Sequence, residues 1–402
     1  MLFAASAFGC AGGGGGGGGA ADDDADDDAA VVPVPSGCFG NESVSQGKSE
    51  LVNHHLEEAD FQFGCAWSEN MDDSHAAAWY ALTMTAMLLQ NSDLLALVND
   101  ACGSGSTDPW NFTYTFCWLP TVPNGTLGAL PAQTPPSQKV IDAVVKNVAP
   151  VANYVHILLD IAANDVNFKD TFPAAALSDS WVGWNEWHDY RVTTADLYLF
   201  KSMAETAGGL ITAVQAWNFQ VDIANFVNGL NNDCQAIHSL LDHYPSFFTL
   251  LDSSRITNAK DLARTALLDY RQFLNLSALD TGSPNQALFW MSLEDIQRAL
   301  QDNAQALSSL DSPVTINLWD PPDWTELTGR MYAGAFFAQP WDRKALPAFV
   351  QDQYNCTPDA DFTGLGDHSM HGVFPGWSAA DLTRLYHWML YNYFGIWWNA
   401  PY

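Results

Sequence analysis

Positive charge is what this sequence has least of. Its 402 residues carry 15 Lys plus Arg against 46 Asp plus Glu, for a formal net charge of −31. So few cations cannot replace the counterions around phosphates, which excludes nucleic-acid binding. Six of the negative charges sit in the run Asp22-Asp23-Asp24-Ala25-Asp26-Asp27-Asp28, and without them the chain still carries about −25. Such a surface favours solubility in salt and contact with cations. Several chemical signatures are missing too. No Cys-x-x-Cys pattern occurs, which argues against a zinc ribbon. No His-Glu-x-x-His or Gly-x-Ser-x-Gly is present, and no Walker loop or Gly-x-Gly-x-x-Gly lies between a strand and a helix, Gly12–Gly19 reading as a tether. EF-hand spacing is absent, although clusters of Asp and Asn leave room for calcium. After residue 36 no apolar stretch is long and uncharged enough to span a bilayer.

What is present is a large apolar fraction, 48%, with 16 Trp, enough for a substantial core in one large domain or two ordinary ones. The periodicity is helical. From Thr193, apolar residues fall at Leu197, Phe200, Met203, Ala204, Ala207, Leu210, Ile211, Val214 and Trp217, a helix face with Thr193 or Thr194 as cap and Asp196 in the first turn. Gly208-Gly209 in mid-helix reads as a close approach of a neighbouring helix. Further helices are expected over Ser74–Gln90 with Ser74 as cap, Ser92–Ala101, Ser137–Ala163 with a kink at Pro150, Ala259–Leu276, Ser292–Leu310 and Ser378–Asn392. Val314–Leu318 alternates like a strand, and Asp323–Tyr332 reads as helix after Asp320-Pro321-Pro322.

Shifting Ser137–Phe168 by 55 residues lays it on the stretch from Thr193, with Val144 on Leu199, Val148 on Met203 and Ala162 on Trp217. Ser292–Leu310 followed by Val314-Thr315-Ile316 makes a third helix-plus-tail unit. Chance likeness between amphipathic helices produces the same pattern. The expected fold is mostly α, an irregular helical bundle or short helical-repeat array with long loops and little β. The chain divides into a signal-like segment and Gly/Asp tether (1–36), a loop-rich N-terminal helical region (37–135), a repeat-like core (136–312), and a C-terminal loop and aromatic helix region (313–402).

Residues 1–36 cannot build a core. Met1–Gly9 is small and apolar, Cys10 and Ala11 follow, then eight glycines and the acidic run, a composition expected of a flexible tether. This pattern resembles bacterial lipoproteins with Gly/Asp-rich tethers, of the kind found in myxobacteria. The resemblance implies cleavage before Cys10, lipid on the Cys10 sulfur, a membrane partner through that anchor, and an address in the cell envelope: outer membrane, periplasm or cell surface. The segment departs from the pattern in having no Lys or Arg and in placing Ala7 three residues before the cysteine. An ordinary disordered N-terminus is the other reading. If Cys10 is lipidated, six cysteines remain: Cys38, Cys65, Cys102, Cys117, Cys234 and Cys356. Proximity suggests Cys38–Cys65, Cys102–Cys117 and Cys234–Cys356 among 15 pairings, which would place the protein in an oxidising compartment. Free buried thiols are the alternative. The helix-plus-tail body is similar to secreted helical bacterial proteins of unknown function.

Two segments offer chemistry. Trp181–Tyr190 (WVGWNEWHDY) puts Trp181, Trp184 and Trp187 three apart beside Glu186, His188 and Asp189. Core packing of that face is the simpler reading, and an aromatic platform with carboxylates for sugar binding or hydrolysis is the other, with Glu186 and Asp189 as candidate catalytic groups and Asp320 and Asp323 as further carboxylates. Gly364–Gly376 holds Asp367, His368 and His371, which would suit zinc or another divalent ion, although a loop DHxxH more often serves structure. His54-His55 with Glu57-Glu58 reads as a solvated helical face, and His156, His238 and His387 as partly buried helical residues. No cofactor is expected beyond this option of zinc or calcium. The expected role is binding or scaffolding of an envelope protein or glycan, without catalysis; the alternative is a helical enzyme that binds or degrades polysaccharide.

Overall fold

A computed structural model describes residues 31–38, 40, 42–102, 137–173, 176, 189–222, 244–280, 282, 287–320, 325–338, 348–350, 359–361 and 366–385. The fold is mostly helical, with nine α-helices and short antiparallel strand pairs among the described residues. In chain order these are α1 (Val44–Val52), α2 (Leu56–Glu69), α3 (Ser74–Met87, continued by a 3₁₀ turn Leu88–Gln90), α4 (Ser92–Cys102), α5 (Ser137–Ala163), β1 (Lys169–Phe172), β2 (Tyr190–Thr193), α6 (Thr194–Val214), β3 (Trp217–Asn218), β4 (Thr249–Leu250), α7 (Ser253–Ser277), α8 (Leu293–Ser309), β5 (Val314–Asp320), β6 (Thr325–Met331), α9 (Ala333–Ala338), β7 (Ala348–Val350) and β8 (Asp359–Asp361). A further helical stretch runs over 379–385.

Helix starts follow side-chain capping. Asp73, rather than Ser74, caps α3, its Oδ1 accepting from the backbone N–H groups of His75 and Ala76 at 2.9 and 3.0 Å. Three starts repeat one arrangement, in which a Ser or Thr at the cap meets an Asp three residues on: Thr193 with Asp196, Ser292 with Asp295, and Ser378 with Asp381. Helix α7 begins at Ser253, capped by Asp252, six residues earlier than its apolar periodicity implies. Helix α1 was not expected, and of α2 only the solvated face at Glu57 and Glu58 was, both exposed in its first turn. His54, at φ +62°, turns the chain between the two helices, and His55 sits at the N-cap of α2 with Nδ1 2.9 Å from Glu50 Oε2, so this pair occupies a turn and not a helical face.

Helix α6 packs most extensively on α7 and next on α5. Gly209 allows the first contact: a Cβ there would lie 3.3 Å from Leu262 Cβ and 3.7 Å from the Ala259 carbonyl oxygen of α7. The largest core joins α2, α3, α5, β1, β2 and α6 around Phe63, Trp79, Leu158, Leu159, Phe168 and Leu197. A second core seats α6 on α7 and α8 through Ala195, Phe273, Leu274 and Ile296. An aromatic group of Trp217, Phe219, Phe248 and Phe336 follows α6, with Trp217 and Phe248 stacked at 5.9 Å.

Two expectations are corrected. Thr325–Met331 is a strand: it pairs antiparallel with all seven residues of β5, and burial alternates along it with Leu327 inward, a period of two that no helix gives. The repeat at a shift of 55 is not a structural register either. Helices α5 and α6 each lead into a short strand that pairs antiparallel, but the shift lays the buried helical Ala162 on Trp217, the first residue of β3. The shared feature is a helix followed by an extended segment, without a constant spacing. Residues 137–163 do form one continuous helix through Pro150.

Candidate functional site

A cavity of about 280 Å³ opens beside the start of α6. Three pieces of chain build it: β2 running into α6, the end of α7 with the turn after it, and the approach to α8. Residue 287 bridges Arg191 in parallel, and Leu288 N donates to the Arg191 carbonyl at 3.2 Å, which fixes the following Phe289 and Trp290 at the cavity. Trp290 is 59% exposed and Phe289 37%, large apolar surfaces left open to solvent. Opposite in character are Arg191, Asp196 and Asp280. The Arg191 guanidinium pairs with Asp280, whose Oδ1 also accepts from Gly282 N at 2.9 Å. A side chain at Gly282 would overlap that guanidinium, so only glycine leaves Arg191 in place. Arg191 Nε is buried and has no hydrogen-bond partner among the described residues. Asp196 Oδ2 accepts from Thr193 N and Thr193 Oγ1 at 2.7 and 2.9 Å. Burial pushes its carboxyl up to about 6, against those two hydrogen bonds.

A second polar group lies inside the helical layer. Lys201 and Glu205 of α6, 9% and 3% exposed, face His156 and Asp160 of α5 and Asp269 of α7, itself 8% exposed. Lys201 Nζ lies 2.5 Å from Asp160 Oδ1 and 3.1 Å from Asp269 Oδ2, and His156 Nδ1 lies 3.1 Å from Glu205 Oε1. The Glu205 carboxylate holds His156 above the usual imidazole range, although burial opposes it. Burial and the neighbouring Glu205 push Asp269 up to about 6, with Lys201 opposing. Asp160 and Asp269 share the Lys201 ammonium while Glu205 faces His156 and Asp269, an interdependent ionic lock between three helices.

A third group ties the N-terminal helices to β1. Asp170, mostly buried, accepts from Lys48, from Trp79 Nε1 at 2.7 Å and from its neighbour Thr171 N at 2.7 Å, while His75 Nδ1 lies 2.9 Å away. Burial alone would raise this carboxyl; the four donors outweigh it and lower it. Lys48 also sits 4.9 Å from the Trp79 ring centroid.

The residues singled out by sequence fall variously. Cys38 and Cys65 are joined as a disulfide, Cys65 wholly buried. Cys102 ends α4; Cys10, Cys117, Cys234 and Cys356 lie outside the described residues, as do Glu186, the three tryptophans of 181–187, Asp323, His238 and His387. Asp189 is exposed where the chain enters β2 and the buried Tyr190 begins the strand, next to the cavity wall at Arg191. Asp367 spends its carboxylate on a turn: Oδ1 accepts from Ser369 N and Oγ at 2.9 and 2.6 Å, and Oδ2 from His371 N at 2.9 Å. The Ser369 hydroxyl, then the His371 N–H, hold this carboxyl below its usual range. Met370 and His371 take left-handed backbone at φ +48° and +59°, and the turn buries Met370, Val373 and Phe374 under Trp377. Among the described residues no group of three or more His, Cys, Asp or Glu is placed to hold a metal ion.

Sequence reasoning missed Arg191, Asp280 and Trp290, and on α6 it missed a buried polar line beside the apolar one, of which Leu197 and Ile211 are buried and Phe200 and Ala204 pack on the core. The buried line runs through Leu197, Lys201, Glu205 and Gly209, four apart, whereas Leu210 is 40% exposed. A Lys–Glu pair at that spacing, in line with Leu197, was the available signal. Neither protein-family models, nor curated proteins, nor solved structures match this chain.

Proposed function

We propose that this is an exported envelope protein, lipid-anchored at Cys10, that holds a ligand in the cavity between β2, α6, α7 and α8 and does not transform it. The observation that carries the binding reading is the cavity itself: exposed aromatic rings beside a floor that holds the Arg191–Asp280 ion pair and the capped Asp196. The Cys38–Cys65 disulfide supports the address, because such a bond persists outside reducing compartments. Metabolic labelling with palmitate, comparing the wild type with Cys10→Ala, tests the anchor. The wild type should carry label and fractionate with membranes; an unlabelled, soluble wild type discards it.

Hydrolysis is the second reading, and one observation favours it: Asp196 and Asp280 line the same cavity, and Asp196 is raised to about 6, toward the range of a general acid. Both carboxylates are committed, however. Asp196 Oδ2 closes the cap of α6 and Asp280 pairs with Arg191, so using either for proton transfer would open the local structure. An unchanged chain length of a bound oligosaccharide after prolonged incubation supports holding over cleavage.

A further inference from the structure

The charge pattern of the cavity restricts what it accepts. Arg191 is neutralised by Asp280, so an anionic ligand finds no spare cation. Asp280 is engaged by Arg191 and Gly282 N, and Asp196 is capped by Thr193 and only 4% exposed, so a cationic ligand finds no open, unpaired carboxylate. The chain as a whole repels polyanions at −31. What remains is hydrogen-bonding capacity at the part-exposed Arg191–Asp280 pair, whose side chains are 25% and 36% exposed. Beside it stand two aromatic rings with exposed faces. A pyranose ring has this same division, with hydroxyls around its edge and an apolar C–H face that stacks on indole. About 280 Å³ is at the small end for ligand cavities, suited to one or two sugar rings of a longer chain.

From these observations we infer that the cavity binds an uncharged sugar unit of a glycan, with Trp290 as the stacking platform and the Arg191–Asp280 pair as the hydroxyl-recognising floor. This rests on the reading of the cavity as the binding site and adds its ligand class. Trp290 supplies the apolar contact, and Gly282 preserves the floor by leaving room for the guanidinium.

The experiment is calorimetric titration of the full chain with neutral hexasaccharides (chitohexaose, cellohexaose and maltohexaose), an acidic one (hexagalacturonate) and hexalysine. At least one neutral probe should bind with Kd of about 0.1–1 mM. Trp290→Ala should weaken it about tenfold. Gly282→Ala, which displaces Arg191, should weaken it at least as much. Trp290 is a surface side chain, so its variant stays folded and melts as the wild type does. If only hexagalacturonate or hexalysine binds, and both variants abolish it, the uncharged-sugar class is overturned while the cavity remains a binding site. If no probe binds, or if a neutral sugar binds equally to both variants, the inference falls, and in the first case the reading of the cavity falls with it.

Discussion

Replacing Lys201 by Met removes the ammonium from between Asp160 and Asp269 while keeping an unbranched stem of similar length. At 3.1 Å from Asp269, a unit-charge attraction is about 5 kcal/mol with an effective dielectric of 20. Desolvation of the buried ammonium offsets part of that, and Asp160 is half-exposed and screened by water. What the substitution leaves behind is the larger effect: Asp269 remains inside the helix contact, beside Glu205, without its cation. Breaking a buried pair in this way costs about 3–5 kcal/mol. Urea unfolding monitored by far-ultraviolet circular dichroism would read it as a shift in midpoint at unchanged slope. The loss should be full at pH 8 and should shrink by more than half at pH 5, because Asp269, pushed up to about 6, then takes a proton and needs the ammonium less. A loss below about 1 kcal/mol at pH 8, the level of an exposed pair, or a loss independent of pH, would refute the claim that these groups are buried and coupled.

Stability as a whole should be higher at pH 5 than at pH 8. Asp60, Asp196 and Asp269 are each raised to about 6, first by burial, so the native state holds their protons more tightly and their contribution is lost as pH rises through 6. His156, raised by Glu205, acts in the same direction above its ordinary value. Below about pH 4 the sign reverses as Asp170 and Asp367, both lowered, take protons and release their donors; the difference between pH 5 and pH 8 in urea unfolding should be on the order of 2–4 kcal/mol. Reduction of Cys38–Cys65, a bond across 27 residues, should cost about 3 kcal/mol, and non-reducing peptide mapping should recover the two cysteines in one linked species. Asp367→Ala should destabilise by about 1–2 kcal/mol through the turn over Met370, with no change in calorimetric response to zinc; a loss of zinc binding in that variant would restore the metal reading of Asp367, His368 and His371.

Helix identity was legible wherever one face is apolar and a cap precedes it. Ser137–Ala163 has its boundaries in the sequence through a valine-rich stripe, although Ser137 Oγ bonds Phe219 and Val221 instead of capping, and Ser292 marks α8 as a true cap. Helix α1 and most of α2 were not legible, since α2 buries Ala59, Gly64 and Cys65 alongside its aromatics and small residues give little periodic contrast. The second strand of the β5–β6 hairpin was misread because seven residues containing Leu, Gly and Met fit either period until a partner strand is known. The cavity was invisible for a deeper reason. Arg191, Asp280 and Trp290 are separated by up to 99 positions, and only the packing of α6 on α7 brings them together. Charges buried on α6 were hidden by the assumption that a helix facing a core does so with apolar residues alone.

The most direct test of the cavity as the working site is hydrogen exchange of the full chain with and without a saturating neutral hexasaccharide. The account predicts slower exchange in peptides covering 189–196 and 287–296, and unchanged exchange at the Lys201–Asp269 lock. Protection confined to other segments, or none at saturation, would contradict it.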